Sequence, residues 1–474
     1  MTARKRRETV GPLQAGAACV DITPREDIHL SGAIGVYRPA KLVADPLSAR
    51  AIVVQDGQRK LCLVATDLTI MTKRYSDHIR RTAGKELGFD PDAVMVHATQ
   101  THSAPSLGHF MLSDEFEGIP EEFDWLRGGD NRYNAFAEER ILEAIRLAND
   151  SLEPVQVGAA SGIEGRFAFN RRAVMRNGKV SMPPRSWKQP LGPTDMRYLE
   201  GPIDPEVGVV CFRGRSLRFP AILVNYTCHP VHVFAKPIVS ADWPGALASE
   251  LGAIYGPTCI PIVLNGACGN INPWPPFDPD YVEDHHRMGM ALASTVERVV
   301  ESMAFKPEAA LDWRVRRLMI PIRQIDPQEL ENARKLLKDH PSPAWTGKTP
   351  GYAIDQGWAM AANMVDLDNL RQRSPKYEYE IQIFRIGDVA LVGLPGEPFV
   401  EGGLRIKLAS PTFPTYIIHD INHYVGYIPT KEALPRGGHE TATGNWSRLV
   451  PEALDVIVES ATELLRDMFP VPAA

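Results

Sequence analysis

Short runs of aliphatic and β-branched residues alternate along the chain with longer stretches whose apolar positions recur at helical spacing. Strands are expected over 51–55 and 61–66, on either side of the Asp56–Gly57 turn, and over 93–99, 209–212, 221–227 and 259–264. Helices are expected over 71–86, over 132–149, from Pro244 onward and over 281–302; within 132–149, Phe136, Ile141, Ala144, Ile145 and Leu147 carry the helical spacing. Further on, strands are expected over 314–322, 377–393 and 415–418, and helices over 328–338, 354–370 and 449–468. This alternation predicts an α/β fold: a mixed β-sheet core flanked by helices, in a single large domain. The expected organisation is a flexible basic segment over 1–14, the domain over 15–474, and a helical insertion near 327–371. Two long loops stand out, an acidic one over 112–130 and a basic, Pro-rich one over 175–202; loops this long suit lids or binding walls as well as surface decoration.

Composition narrows the function classes. With 474 residues and 44% hydrophobic content, the chain can bury a sizeable core. The 52 Lys plus Arg against 58 Asp plus Glu give a net charge of −6, which disfavours a nucleic-acid partner. No apolar run is long enough to span a bilayer. The basic opening Met1–Arg7 continues as Glu8-Thr9-Val10-Gly11-Pro12 with no hydrophobic stretch, so a cytoplasmic protein is expected. The six cysteines are dispersed, without a C-x-x-C pair, and read as buried reduced thiols. No Gly-x-Ser-x-Gly elbow, P-loop, dinucleotide fingerprint or zincin helix is present. The acidic and imidazole run Glu283-Asp284-His285-His286 reads as a solvated first helical turn.

Polar residues gather where strands end. The strand over 94–99 runs into Gln100-Thr101-His102-Ser103, that over 222–226 into Cys228-His229-Pro230-Val231-His232, that over 262–264 into Asn265–Pro273, and that over 390–393 into Leu394-Pro395-Gly396-Glu397. A fifth cluster, Asn422–Tyr427, follows 415–418. In α/β sheets, ligands bind beyond the carboxyl ends of strands. Two histidines, a carboxylate and a phenol suit a borderline divalent ion, zinc first. Taken singly, each residue has a plainer reading: His102 as a turn residue, His229 as a buried histidine donating to a carbonyl, Glu397 as a helix-capping partner. Taken together, a metal centre is favoured. Asp242 and Asp67, also at strand ends, are candidates to orient a ligand histidine.

Ala15–Pro24, Thr99–Pro105, Asn170-Arg171, His229-Pro230, Ser240–Gly245, Gly269–Pro273, Pro395-Gly396-Glu397 and Tyr424–Thr430 resemble, in order, segments of the neutral, non-lysosomal ceramidases. The resemblance implies a zinc-dependent amidohydrolase that cleaves an N-acyl bond in a lipid-like amide. It places His229, Glu397 and Tyr427 at zinc-binding positions, His102 at a position assisting catalysis, and Arg171 at an active-site arginine. At three places the chain departs from the pattern. Gln100 stands where the family has a zinc-ligating histidine; Asn272 and Asn270 stand for a serine proposed as nucleophile and an aspartate; His439 stands for a second active-site tyrosine.

These departures change the expected chemistry. A glutamine carbonyl is a weaker zinc ligand than imidazole. Either the metal moves onto His102, or His439, His423 or His97 compensates, or the site has lost its metal. Asn272 cannot form an acyl-enzyme, so hydrolysis would use activated water directly, with Asn272 and Asn270 free to donate to an oxyanion. The leading expectation is hydrolysis of an amide, with an ester or lactone as alternative; the rival from another class is a metal-free binding protein on the same scaffold. The resemblance further implies a catalytic domain alone, without the secretion signal and immunoglobulin-like C-terminal domain of ceramidases proper.

Overall fold

A computed structural model describes residues 12–182, 195–215, 218–276, 278, 280–346 and 351–470. Most of the basic segment over 1–14, and the Trp-bearing middle of the loop over 175–202, lie outside the described residues.

The β core is divided among three main sheets. The first runs, in spatial order, Val94–Ala98, Lys60–Thr66, Ser48–Gln55, Gln14–Asp21 and the two-residue Glu153–Pro154. The second runs Ile260–Asn265, Ala221–Tyr226, Glu206–Arg213, Gln156–Ile163; the third runs Leu311–Pro321, Lys376–Ile386, Val389–Gly393, Thr415–Ile418. Each sheet is antiparallel except for one parallel pair: Lys60–Thr66 with Val94–Ala98, Ala221–Tyr226 with Ile260–Asn265, and Val389–Gly393 with Thr415–Ile418. A parallel pair brings two carboxyl ends to the same edge, and those ends carry every polar cluster singled out in the sequence.

Helices α1 (Lys73–Leu87) and α2 (Asn131–Asp150) cover the first sheet, and α3 (Asp242–Tyr255) and α4 (His285–Glu301) the second. The helices α5 (Pro327–Asp339) and α6 (Gln356–Arg373) pack on each other. On the third sheet lie α7 (Val400–Ala409) and α8 (Ala453–Met468). A central core with Ile52, Leu63, Met95, Leu223, Ile262, Leu391 and Ile418 joins the inner faces of all three sheets. No described helix is long and apolar enough to cross a membrane.

The span 377–393 is two strands, broken at Gly387, whose φ of 63° makes the hairpin turn. The Gln156–Ile163 strand has no counterpart among the expected ones, because Gly158 and Gly162 interrupt its apolar pattern; each leaves room for a neighbour, Met303 and Thr295 respectively. The loop over 112–130 holds a 3₁₀ helix, Glu121–Arg127, and packs Phe116, Phe123 and Trp125 against Trp358 of α6.

Candidate active site

The three parallel strand pairs converge on one cavity of about 310 Å³, lined among others by Gln100, His102, Arg171, Asn272, Glu397, Tyr427 and His439. Its outer wall is apolar, with Phe110, Met111, Trp125, Trp358 and Trp446. The loop over 112–130 and helix α6 thus supply one side of the pocket, the strand ends the other.

At the centre, His229 and Glu397 face each other, Nε2 to Oε2, at 3.0 Å, and both side chains are buried. The Nδ1 of His229 lies 2.7 Å from the Cys268 carbonyl and 3.1 Å from that of Ile271, so Nδ1 carries the proton and Nε2 presents a lone pair. Burial, reinforced by the positive charge of Arg171, lowers the pKa of His229. Burial alone would raise that of Glu397, but hydrogen bonding and charge from His229, with Arg171 and Gln100, outweigh it and hold the carboxyl below its usual range. With the Nδ1 proton already committed to the carbonyls, the 3.0 Å contact of Nε2 with a carboxylate oxygen needs a second proton or a cation to hold it together.

Glu397 is held from two more sides. Tyr424 donates its hydroxyl to Oε1 at 3.0 Å. Gln100, left-handed at φ 68°, donates its amide to the same carboxylate, while its carbonyl oxygen lies 3.9 Å from the Cys268 thiol. The amide thus acts here on the carboxylate. Tyr427 is buried against Arg171, whose guanidinium carbon lies 5.3 Å from its ring centre; burial and then the Glu397 charge push its phenol well above the ordinary range.

Arg171 is itself fully engaged. Its Nε donates to Glu440 at 2.7 Å, Nη1 to the Asn272 Oδ1 at 3.1 Å and Nη2 to the Gly269 carbonyl at 2.8 Å. Because Arg171 occupies the amide oxygen of Asn272, the Nδ2 of Asn272 is left buried without a partner, at the cavity wall. The Nδ1 of His102 lies 3.0 Å from the Gly32 carbonyl, which leaves its buried Nε2 unpartnered on the same cavity. Burial first, then the charge of His229, lowers His102 to about 3, so the ring is neutral at physiological pH. A buried donor and a buried acceptor without protein partners thus face the same apolar pocket, where a bound molecule can meet both.

The remaining expected residues divide. His439 lines the mouth, solvent-accessible, with its ring 5.4 Å from that of Tyr427. Asn270 does not line the cavity: it donates to Glu401 at 3.0 Å and accepts from the Val400 amide at 2.9 Å, anchoring the start of α7. His97 sits in the core, its two ring nitrogens engaged by the His419 carbonyl and the Asn265 amide. His423 stacks on Tyr377. Asp67 pairs with Arg50 at 2.7 Å, and Asp242 holds His232, not His229, at 2.7 Å. The sequence assigns no role to Tyr424, inside the marked 422–427 cluster, or to Glu440, next to His439; for the apolar wall, which assembles from distant loops, there is no local signal.

These features define the class by architecture: a mixed α/β protein with the fold of the solved neutral ceramidases. In particular, the chain is 23% identical to the neutral ceramidase of Pseudomonas aeruginosa over an alignment of 485 positions, covering 89% of this chain and 67% of that protein. The fold matches the crystal structure of neutral ceramidase from Pseudomonas aeruginosa with a TM-score of 0.70 at 18% identity, over 98% of this chain and 76% of that one. A ceramidase complexed with C2 matches with a TM-score of 0.69 at 19% identity and the same coverage. No protein-family model matches.

Proposed function

We propose that this chain hydrolyses the amide bond of an N-acyl, lipid-like substrate by direct attack of water, without a covalent acyl-enzyme. The observation that carries the reading is the pairing of an unpartnered base, His102 Nε2, with an unpartnered donor, Asn272 Nδ2, on one apolar cavity beside the His229–Glu397 contact. The chain's likeness to neutral ceramidase supports amide-bond chemistry.

The apolar wall of Phe110, Met111, Trp125, Trp358 and Trp446 takes the acyl chain and excludes water from it. Asn272, its amide oxygen held by Arg171, presents Nδ2–H to the substrate carbonyl oxygen and strengthens that bond as negative charge develops there. His102, its Nδ1–H fixed on Gly32, accepts the proton of the attacking water at Nε2 and returns it to the leaving amine. Zinc fits the centre by chemistry: His229 Nε2, Glu397 and Tyr427 would hold it, and when bound it would supply Lewis-acid polarisation and a water of lowered pKa. Gln100 and Tyr424 then keep Glu397 oriented by donating to it.

The test is product analysis with N-acyl amides of graded chain length, on purified protein before and after chelation. Release of free acid and amine, lost on chelation and in the His229→Ala variant, is the expected result. Tight ligand binding with no turnover in any metal state would replace this reading with that of a binding protein.

A further inference from the structure

We propose a second divalent-metal site, on the outer side of the segment that carries His229, formed by Asp45, His285 and His286. Donor atoms of these three residues lie within 4.8 Å of one another; among the described residues, no other group of three His, Cys, Asp or Glu does so. The His285 Nε2 lies 2.9 Å from Asp45 Oδ2, and the His286 Nε2 lies 3.7 Å from Asp45 Oδ1. Neighbouring residues on a helix ordinarily point apart. Here, in the first turn of α4, the two imidazole rings sit 4.1 Å apart and both present Nε2 to the same carboxylate. Such convergence of two nitrogens on one carboxylate is a donor set for zinc, cobalt or nickel, with the solvent side left for water.

The site has a built floor. Ser240 donates its hydroxyl to Asp45 Oδ2 and fixes the carboxylate. Behind it lies His232, buried, its ring 6.3 Å from that of His285 and its Nδ1 held 2.7 Å from Asp242, the arrangement that orients a histidine near a metal. The segments joined are distant in sequence: the one following the short Leu42–Val43 strand, the start of α4, and the stretch from His232 to Asp242. That stretch also supplies Phe234 to the cavity, and Ser240 binds the Thr101 hydroxyl and the Ser103 carbonyl on either side of His102. A metal here would act as a clamp behind the pocket. The inference stands independently of the proposed hydrolysis.

Zinc binding to the chelator-stripped full chain tests it, with bound zinc counted by mass spectrometry after gel filtration. Compared are the wild type, the His285→Ala/His286→Ala variant, the milder Asp45→Asn, and a His229→Ala/Glu397→Gln variant that silences the centre of the pocket. The expected result is about one zinc per chain surviving in His229→Ala/Glu397→Gln, and about one per chain fewer than wild type in both His285→Ala/His286→Ala and Asp45→Asn. Equal zinc content in the wild type, the double-alanine variant and Asp45→Asn, including none in any of them, overturns the site. Circular dichroism of each stripped variant separates metal loss from misfolding, and Asp45→Asn decides the matter if the double variant does not fold.

Discussion

Replacing Glu440 by glutamine should cost the protein several kcal/mol, and the amount can be worked from the structure. Glu440 is buried, and its two oxygens each take one arginine, Arg171 at 2.7 Å and Arg172 at 2.7 Å. Burial alone would raise its pKa, but the charges of Arg171 and Arg172, and then His439, carry it from an ordinary 4.5 down to about 2. At about 1.4 kcal/mol for each tenfold change in proton affinity, that difference corresponds to roughly 3 kcal/mol of stability. Breaking a buried pair by removing one partner independently suggests ~3–5 kcal/mol, because the remaining guanidiniums are left buried with less compensation. Arg172 keeps Glu200, so the lower part of that range is expected. The folded-state pKa is depressed, so the contribution is fully present above about pH 4.5 and is lost as pH falls towards 2. Guanidinium denaturation of wild type and Glu440→Gln at several pH values should therefore show a constant gap of roughly 3 kcal/mol from neutral pH down to about 5, narrowing below. A gap under about 1 kcal/mol at pH 7, or one that does not narrow with acid, would refute the reasoning.

Asn272→Leu removes the unpartnered donor while keeping its bulk, so kcat on an N-acyl amide should fall ~10²–10³-fold with KM little changed; an equal rise in KM would mean the residue binds the ground state instead. Gly32→Ala places a methyl 2.8 Å from His102 Nδ1 at a backbone φ of 91°, and should lose roughly 1–3 kcal/mol of stability in thermal or chemical melts together with at least ~10-fold of activity. Asn422→Ala strips the Val96 amide of its acceptor at 2.9 Å and removes the amide that donates to Gln382 and Glu380, of which Glu380 keeps Arg80; a loss of roughly 2–4 kcal/mol by denaturant titration is expected, and a neutral outcome would show that the strained φ of 54° had offset those bonds.

What the sequence could show was set by whether a signal was local. Strands such as Lys60–Thr66 and Ala221–Tyr226 are buried nearly end to end, so they read as continuous apolar runs, and the polar residues that follow them mark their ends. That is why His102, His229, Asn272 and Glu397 were named from sequence at all. The division of the β core into three sheets was not legible, because pairing between distant strands leaves no local trace. Gly158 and Gly162 hid a whole strand for the same kind of reason: what makes them fit is Met303 and Thr295, far along the chain.

The roles within the site were further out of reach, since they depend on which atom is already occupied. Gln100 read from sequence as a poor zinc ligand in place of a good one. In the fold its left-handed backbone turns the amide onto Glu397, where it does what Tyr424 does from the other side. Asn272 read as a lost nucleophile, yet Arg171 caps its oxygen and leaves a donor aimed at the pocket. The two departures from the family pattern are thereby linked. In the proposed reaction, an asparagine in place of the serine removes the covalent step, which leaves water as the attacking group and His102 as the base. An Arg171 side chain that is immobilised on Glu440, Asn272 and Gly269 serves that chemistry by fixing the donor before substrate arrives, and preorganisation of this kind is where most transition-state stabilisation originates. Glu440→Gln should therefore affect turnover on the proposed amides through Asn272 as well as stability through the buried charges, and restoring the salt bridge with Glu440→Asp should recover part of both.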